Sequence, residues 1–257
     1  MLRMAALLGR VRIVIRTALF IFLAQVAAPL EFEVASVRLI PGPYEFYNTK
    51  LELTPRGFNA NYAGLRQIAG VAYNIQRVRV EGGPDLMDSD LYTIAAKAEN
   101  PDTTENADQI REMLRTLLAD RFKFVALRET KQLPTYALAL GKGGSKIQEV
   151  KEDPPGIPSA APGQGQFGRE LVFKNMPLAG LVNYLANVLG SPVLDQTGLK
   201  GRYNFKLEFV PPGRVPTTNT APDLFEAVQD QLGLKLEGKK GPVEVLVVDR
   251  AERASAN

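Results

Sequence analysis

The 257-residue chain is expected to fold as an α+β protein of two tandem, diverged β-α-β-β-α-β-β units, with mixed sheets covered by helices and a signal peptide in front. Three observations carry this. Residues 57–142 run FNANYAGLRQIAGVAYN, LYTIAAKA, EMLRTLLADRFKFVAL and TYALALGK, and residues 171–250 run LVFKNMPLAGLVNYLANVLG, RYNFKLEF, LFEAVQDQLGLKLEG and VEVLVVDR, on the same plan. A repeated order of elements is the signature of a duplicated unit. Within each copy, two segments place apolar residues at helical spacing between runs that alternate with period two. A Gly- and Pro-rich stretch separates the copies. The organisation that follows is a signal peptide (1–28), a first repeat with extra N-terminal strands (29–143), a linker (144–169), a second repeat (170–250) and a tail (251–257).

Taken in order, Glu31 to Ile40 is β-rich and stops at Pro41-Gly42-Pro43, and Lys50 to Thr54 alternates as a second strand. After Phe58-Asn59-Ala60, Leu65, Ile68, Ala69 and Ala72 give a helix over Ala63 to Tyr73 one apolar face. Val78 and Val80 mark a short strand ended by Gly82-Gly83-Pro84, and Leu91 to Ala98 alternates as another. Glu105 to Asp120 is the strongest helix, with a stripe of Ile110, Met113, Leu114, Leu117 and Leu118. Phe122 to Leu127 and Tyr136 to Leu140 are expected to close the unit as a hairpin. In the second copy Pro177 opens a helix whose buried face is Leu178, Leu181, Val182, Leu185 and Leu189, and Gly190 ends it. Tyr203 to Phe209 is a strand, 210–221 a loop, Pro222 to Leu232 a helix. Leu234 to Glu237 and Val243 to Val248 are expected to pair about a Gly238-Lys239-Lys240-Gly241 turn.

The N-terminus places Arg3, Arg10, Arg12 and Arg16 before the apolar run Thr17 to Ala28, the order of a secretory signal. Twelve residues cover about 18 Å, short of the roughly 30 Å a membrane core demands. A cleaved signal is the favoured reading and an uncleaved anchor the alternative, so the protein is expected to be periplasmic or secreted. Removing 1–28 takes away four Arg and no acid, so a net charge of +3 becomes −1. Nucleic acid is therefore not an expected partner, and membrane contact is expected through the N-terminal segment alone. The chain has no His and no Cys, which closes Ser-His-Asp and Cys nucleophile chemistry and His-ligated zinc. No cofactor and no enzyme activity are expected.

FEVASV, the Ala72-Tyr73 pair, Gly82-Gly83-Pro84, YTIAAKA, Leu117 to Phe122, YALALGKGGSK, LDQTGLKGRYNFKLEF, QLGLKLE and VEVLVVD occur in that order. Together they resemble a soil-associated family of exported bacterial proteins carrying a domain of unknown function, a resemblance that implies bacterial origin and export but no activity. Residues 171–249 also resemble the short N-terminal module of secretins and TonB-dependent receptors, which implies a small periplasmic interaction domain.

Three local features invite a sharper reading. Asp85, Asp88 and Asp90 are spaced like part of a calcium loop but lack its Gly and closing Glu, so a solvated turn is the simpler reading. Gly141, Lys142, Gly143 and Gly144, with Ser145 and Lys146, offer N–H and ammonium groups to an anion without being a Walker A motif. Thr197, Gly198, Lys200 and Gly201 form a second glycine loop. These two loops are the candidate contact surface. The expected function is a non-catalytic envelope or periplasmic interaction module that binds a protein or peptide partner. The alternatives are a small-ligand or glycan binder using the cleft between the repeats, or a carboxylate-dependent hydrolase.

Overall fold

The structure is a computed structural model that describes residues 29–42, 49–54, 56–99, 107–151, 159–163, 169–211 and 221–254. The expected signal peptide lies outside the described residues. Among the described residues, twelve strands in three four-stranded sheets are accompanied by five helices, an α+β architecture. The first half contributes β1 (Val34–Ile40), β2 (Lys50–Thr54), β3 (Gly57–Gly64), α1 (Leu65–Ala72), β4 (Val80–Gly82), α2 (Leu86–Ser89), β5 (Leu91–Lys97), α3 (Ala107–Phe122) and β6 (Val125–Leu140). The second contributes β7 (Gln148–Glu149), β8 (Ser159–Pro162), β9 (Arg169–Pro177), α4 (Leu178–Leu189), β10 (Val193–Asp195), β11 (Arg202–Phe209), α5 (Leu224–Leu232) and β12 (Leu234–Arg250).

The duplication governs the topology. One outer sheet has the order β1-β5-β3-β2 and the other β7-β11-β9-β8, so adding six to each strand number converts the first into the second. The central sheet, β10-β6-β12-β4, reads the same backwards when each strand is exchanged for its counterpart six away. Backbone detail repeats as well. Tyr62 (φ 49°) and Asn175 (φ 50°) each sit three residues ahead of the first residue of α1 or α4, at matching irregularities in β3 and β9.

The closing hairpins anticipated from the sequence do not form. β6 and β12 each continue as one long strand and pair antiparallel along their lengths, from Leu140↔Leu234 to Val125↔Arg250. Gly238 and Gly241 stay in this ladder opposite Tyr136 and Leu133, and neither takes the positive φ of a tight primed turn. The two halves therefore exchange strands. Leu246 and Val248, from the second half, are buried in the first core with Phe58, Leu114 and Phe122. Leu138, from the first half, is buried in the second core with Phe173, Leu185 and Phe209. Part of the expected linker is also strand, because β7 pairs with β11 and β8 with β9 at the edges of their sheet.

The helices bury the stripes their sequences announce. α3 buries Ile110, Met113, Leu114, Leu117, Leu118 and Phe122, and α4 buries Leu178, Leu181, Val182, Leu185 and Ala186, with Leu189 only partly covered. α5 starts at Leu224 because the Asp223 side chain accepts from the Glu226 N–H at 2.9 Å. It ends at Gly233, whose φ of 67° is the left-handed C-terminal stop. The equivalent residue after α3 is Lys123, at φ 49°. Lys123→Gly is accordingly expected to stabilise the fold by about 0.5–1 kcal/mol, the left-handed penalty of a side chain less glycine's added unfolded-state freedom. A higher urea midpoint at unchanged slope would register it.

Candidate ligand cleft

α1 and α4 are equivalent helices, and equivalent faces of them meet across a cleft of about 480 Å³. Counting from each first residue, Gly70 in α1 and Asn74 just past its end correspond to Asn183 and Asn187 of α4, and all four line the cleft. Asn183 and Asn187 stand one turn apart on the solvent side of α4, opposite its buried stripe. β2 closes the wall with Leu51 and Leu53, and the segment after α1 adds Gln76, Arg77 and Arg79. Arg111 enters from α3. Among the described residues that line the cleft, the ionisable groups are the guanidiniums of Arg77, Arg79 and Arg111.

Gln76 locks this wall to the other half. Its side chain is buried, Nε2 donates to the Val193 carbonyl at 2.6 Å, and Oε1 accepts from the Val193 N–H at 3.1 Å. β10 is an edge strand bonded to β6 on one side, so Gln76 stands in for a further strand on the other. Arg66 serves β4 at the opposite edge, donating to the carbonyls of Val80 at 2.6 Å and Gly82 at 3.1 Å. Gln76→Leu leaves a buried donor and acceptor of Val193 unpaired and is expected to cost about 2–4 kcal/mol. Gln76→Glu, which buries a charge and turns a carboxylate oxygen toward the Val193 carbonyl in place of the donor, should cost at least as much in a urea titration.

Two of the three acids of the calcium-like segment, Asp88 and Asp90, serve arginines. The segment is not a plain turn, for α2 forms one helical turn that buries Met87 completely. Arg66 Nε donates to both Asp88 oxygens at 3.0 and 2.9 Å, and this hydrogen bonding holds the carboxyl below the usual carboxylate range. Arg77 reaches the same carboxylate at 3.4 Å, and Arg253 grips Asp90 at 2.8 and 3.2 Å.

The two glycine loops leave the same end of the central sheet, since Asp195 pairs with Leu138 two residues before β6 ends. The first loop caps α5. Gly141 N–H donates to the Gly233 carbonyl at 2.9 Å, Lys146 N–H to Leu232 at 2.8 Å, and Lys146 Nζ to Asp230 at 2.7 Å. Gly144 N–H turns back to Gly141 at 3.0 Å, while Lys142 and Gly143 border a groove of about 450 Å³ with Lys235 and Asp230. These amides face the negative end of a helix, which disfavours a bound anion. In the second loop, Asp195 Oδ1 accepts from the Thr197 N–H at 2.9 Å and hydroxyl at 2.8 Å, and Thr197 Oγ1 accepts from Leu199 N–H at 3.1 Å. Gly198 supplies φ 74°, the Gly201 N–H donates to the Tyr203 hydroxyl at 3.1 Å, and Lys200 is exposed. No residue of this loop lines the α1–α4 cleft or the groove beside the first loop. The cleft residues escaped the sequence reading because they are scattered over 51–187, and the one signal was the polar row of Asn183 and Asn187 on an otherwise apolar helix.

Residues 66–251 match the family described as "Protein of unknown function (DUF3738)", more than two thirds of the chain. The chain belongs to that family. No curated protein and no solved structure matches it. The DUF3738 match runs from α1 to just past β12, so it takes in the second copy, the first copy without β1 to β3, the exchanged strands and every cleft residue except Leu51 and Leu53. Among the described residues no helix is long and apolar enough to cross a membrane.

Proposed function

We propose that this is an exported, non-catalytic binding protein whose small ligand occupies the cleft between α1 and α4. The meeting of equivalent helix faces carries the reading, because a duplicated fold brings its two halves together there around a cavity of about 480 Å³, a volume typical of ligand sites. The lining favours binding over turnover. Guanidiniums stay protonated at any working pH, so among the described residues the cleft holds no group fit for general acid–base transfer and no carboxylate pair for glycoside hydrolysis. Export rests on the basic, apolar, small-residue order of 1–28.

Asn183→Trp tests the cleft by filling it from an exposed position. A ligand at one hundred times its Kd should stabilise the wild type by about 2.7 kcal/mol, a rise of roughly 5–10 °C in Tm. The variant should melt normally and lose that rise. A panel of sugars, amino acids, peptides and organic acids that shifts neither protein, or shifts both equally, defeats the reading.

One observation favours a partner-binding module as a second reading. β1 is an edge strand of seven residues with Val34 59% and Leu39 45% exposed, a suitable template for strand addition by an extended peptide. Ser36→Pro, placed mid-strand, should abolish co-purification of such a partner from the envelope fraction while leaving cleft ligands bound.

A further inference from the structure

Resting on the cleft reading above, we propose that the ligand is a small oxyanion, a molecule carrying carboxylate or phosphate groups, held by Arg77, Arg79 and Arg111. Charge bookkeeping around the cleft points this way. Asp88 is shared between Arg66, at 2.8 Å, and Arg77, at 3.4 Å, so Arg77 has the weaker hold on a divided charge. Arg79 Nε donates at 2.6 Å to the backbone carbonyl of Glu244, a neutral acceptor, while the Glu244 carboxylate pairs with Arg128. Arg111 Nη1 meets Asp108 at 2.8 Å, yet its Nε is buried without a hydrogen-bond partner. Five guanidiniums (Arg66, Arg77, Arg79, Arg111 and Arg128) thus face three carboxylates (Asp88, Asp108 and Glu244), and none of the three lines the cavity.

A concave site with one sign of charge and apolar walls focuses its field on a counter-ion. Leu51, Leu53, Val71 and Ile75 supply those walls. The half-buried Arg79 is already desolvated, and burial pulls its pKa below the ordinary arginine value against the opposing pull of Glu244. A guanidinium in that condition gains most from an oxyanion, whose two oxygens match its fork. Arg111 adds its charge to the wall of the cleft. Asn74, Asn183 and Asn187 add amide donors and acceptors for the uncharged part of the ligand.

The test is calorimetric titration of the full chain with citrate and with inorganic pyrophosphate at constant ionic strength, with trehalose as the neutral control. Preference between the first two separates a carboxylate from a phosphate ligand. Binding of either should weaken by about tenfold or more in R77Q and in R111Q, the loss of one charge-assisted hydrogen bond, and vanish in N183W. Thermal melts confirm folding; should R111Q melt early, R77Q, with its half-exposed side chain, decides alone. Oxyanion binding that persists in N183W, or no binding of either probe at millimolar concentration, overturns the inference. A ligand displaced by N183W but indifferent to R77Q and R111Q overturns the charge assignment and leaves the cleft reading standing.

Discussion

Gly233→Ala is expected to cost about 3 kcal/mol or more, whereas Gly190→Ala, at the end of α4, should cost only about 1–2 kcal/mol. Both glycines end a helix in the left-handed region, at φ 67° and 61°. Both alanines therefore carry the same backbone penalty. Their surroundings differ. A Cβ on Gly190 meets nothing within 4 Å, but one on Gly233 overlaps the carbonyl oxygen of Gly144 and comes within 2.9 Å of the Lys146 N. The 141–146 loop cannot yield without releasing the hydrogen bonds from Gly141 and Lys146 that satisfy the end of α5. Each bond is worth about 1 kcal/mol, and a buried carbonyl left open costs more. In a chain of this size 3 kcal/mol corresponds to a fall of roughly 6–12 °C in Tm. Urea titration of both variants isolates the steric part as their difference. Equal losses would mean that the loop moves freely and caps nothing.

The same loop shows what a sequence reading reaches. Gly141-Lys142-Gly143-Gly144 announces close backbone approach, and close approach is what the structure contains, but the thing approached is a helix end over 80 residues away. Local periodicity located α1, α3, α4 and α5 because each buried stripe is written within one helix. The duplication was legible for the same reason. Strand exchange was not. Leu138 and Leu246 occupy core-facing positions whether β6 and β12 fold back on themselves or run on, so alternation cannot say which core each residue enters. The edge strands β7 and β8 were hidden for another reason: a strand of two or four residues owes its existence to its neighbour, and Gly and Pro around it mask any period. The cleft was legible only as the place where two copies must meet, because its arginines come from separate elements.

Strand exchange makes the largest expected effect a covalent one: neither half should fold without the other. A fragment ending at residue 156 lacks Leu246, Val248 and Ala251, all buried in the first core, together with the whole partner ladder of β6. Burial of one Leu or Val is worth about 1.5–3 kcal/mol, so these side chains and their ladder approach the 5–15 kcal/mol that holds an ordinary domain together. The complementary fragment lacks Leu138 and, with it, the strand that pairs with β10 and β12. Refolded separately, the two pieces are expected to show no cooperative melt. Refolded together, they should elute as one 1:1 complex, since β6 and β12 each thread both cores and need no peptide bond between 156 and 157 to do so. The competing outcome is specific. Bending β6 back near Pro134 would set 125–129 against 136–140 and let the first fragment complete its own core as a monomer. A cooperative, monomeric 1–156 would show that the exchange is a choice between two near-equal pairings. Its absence would show that continuity of the ribbon through Lys131 to Pro134 fixes the two halves, and hence the cleft between α1 and α4, in one arrangement.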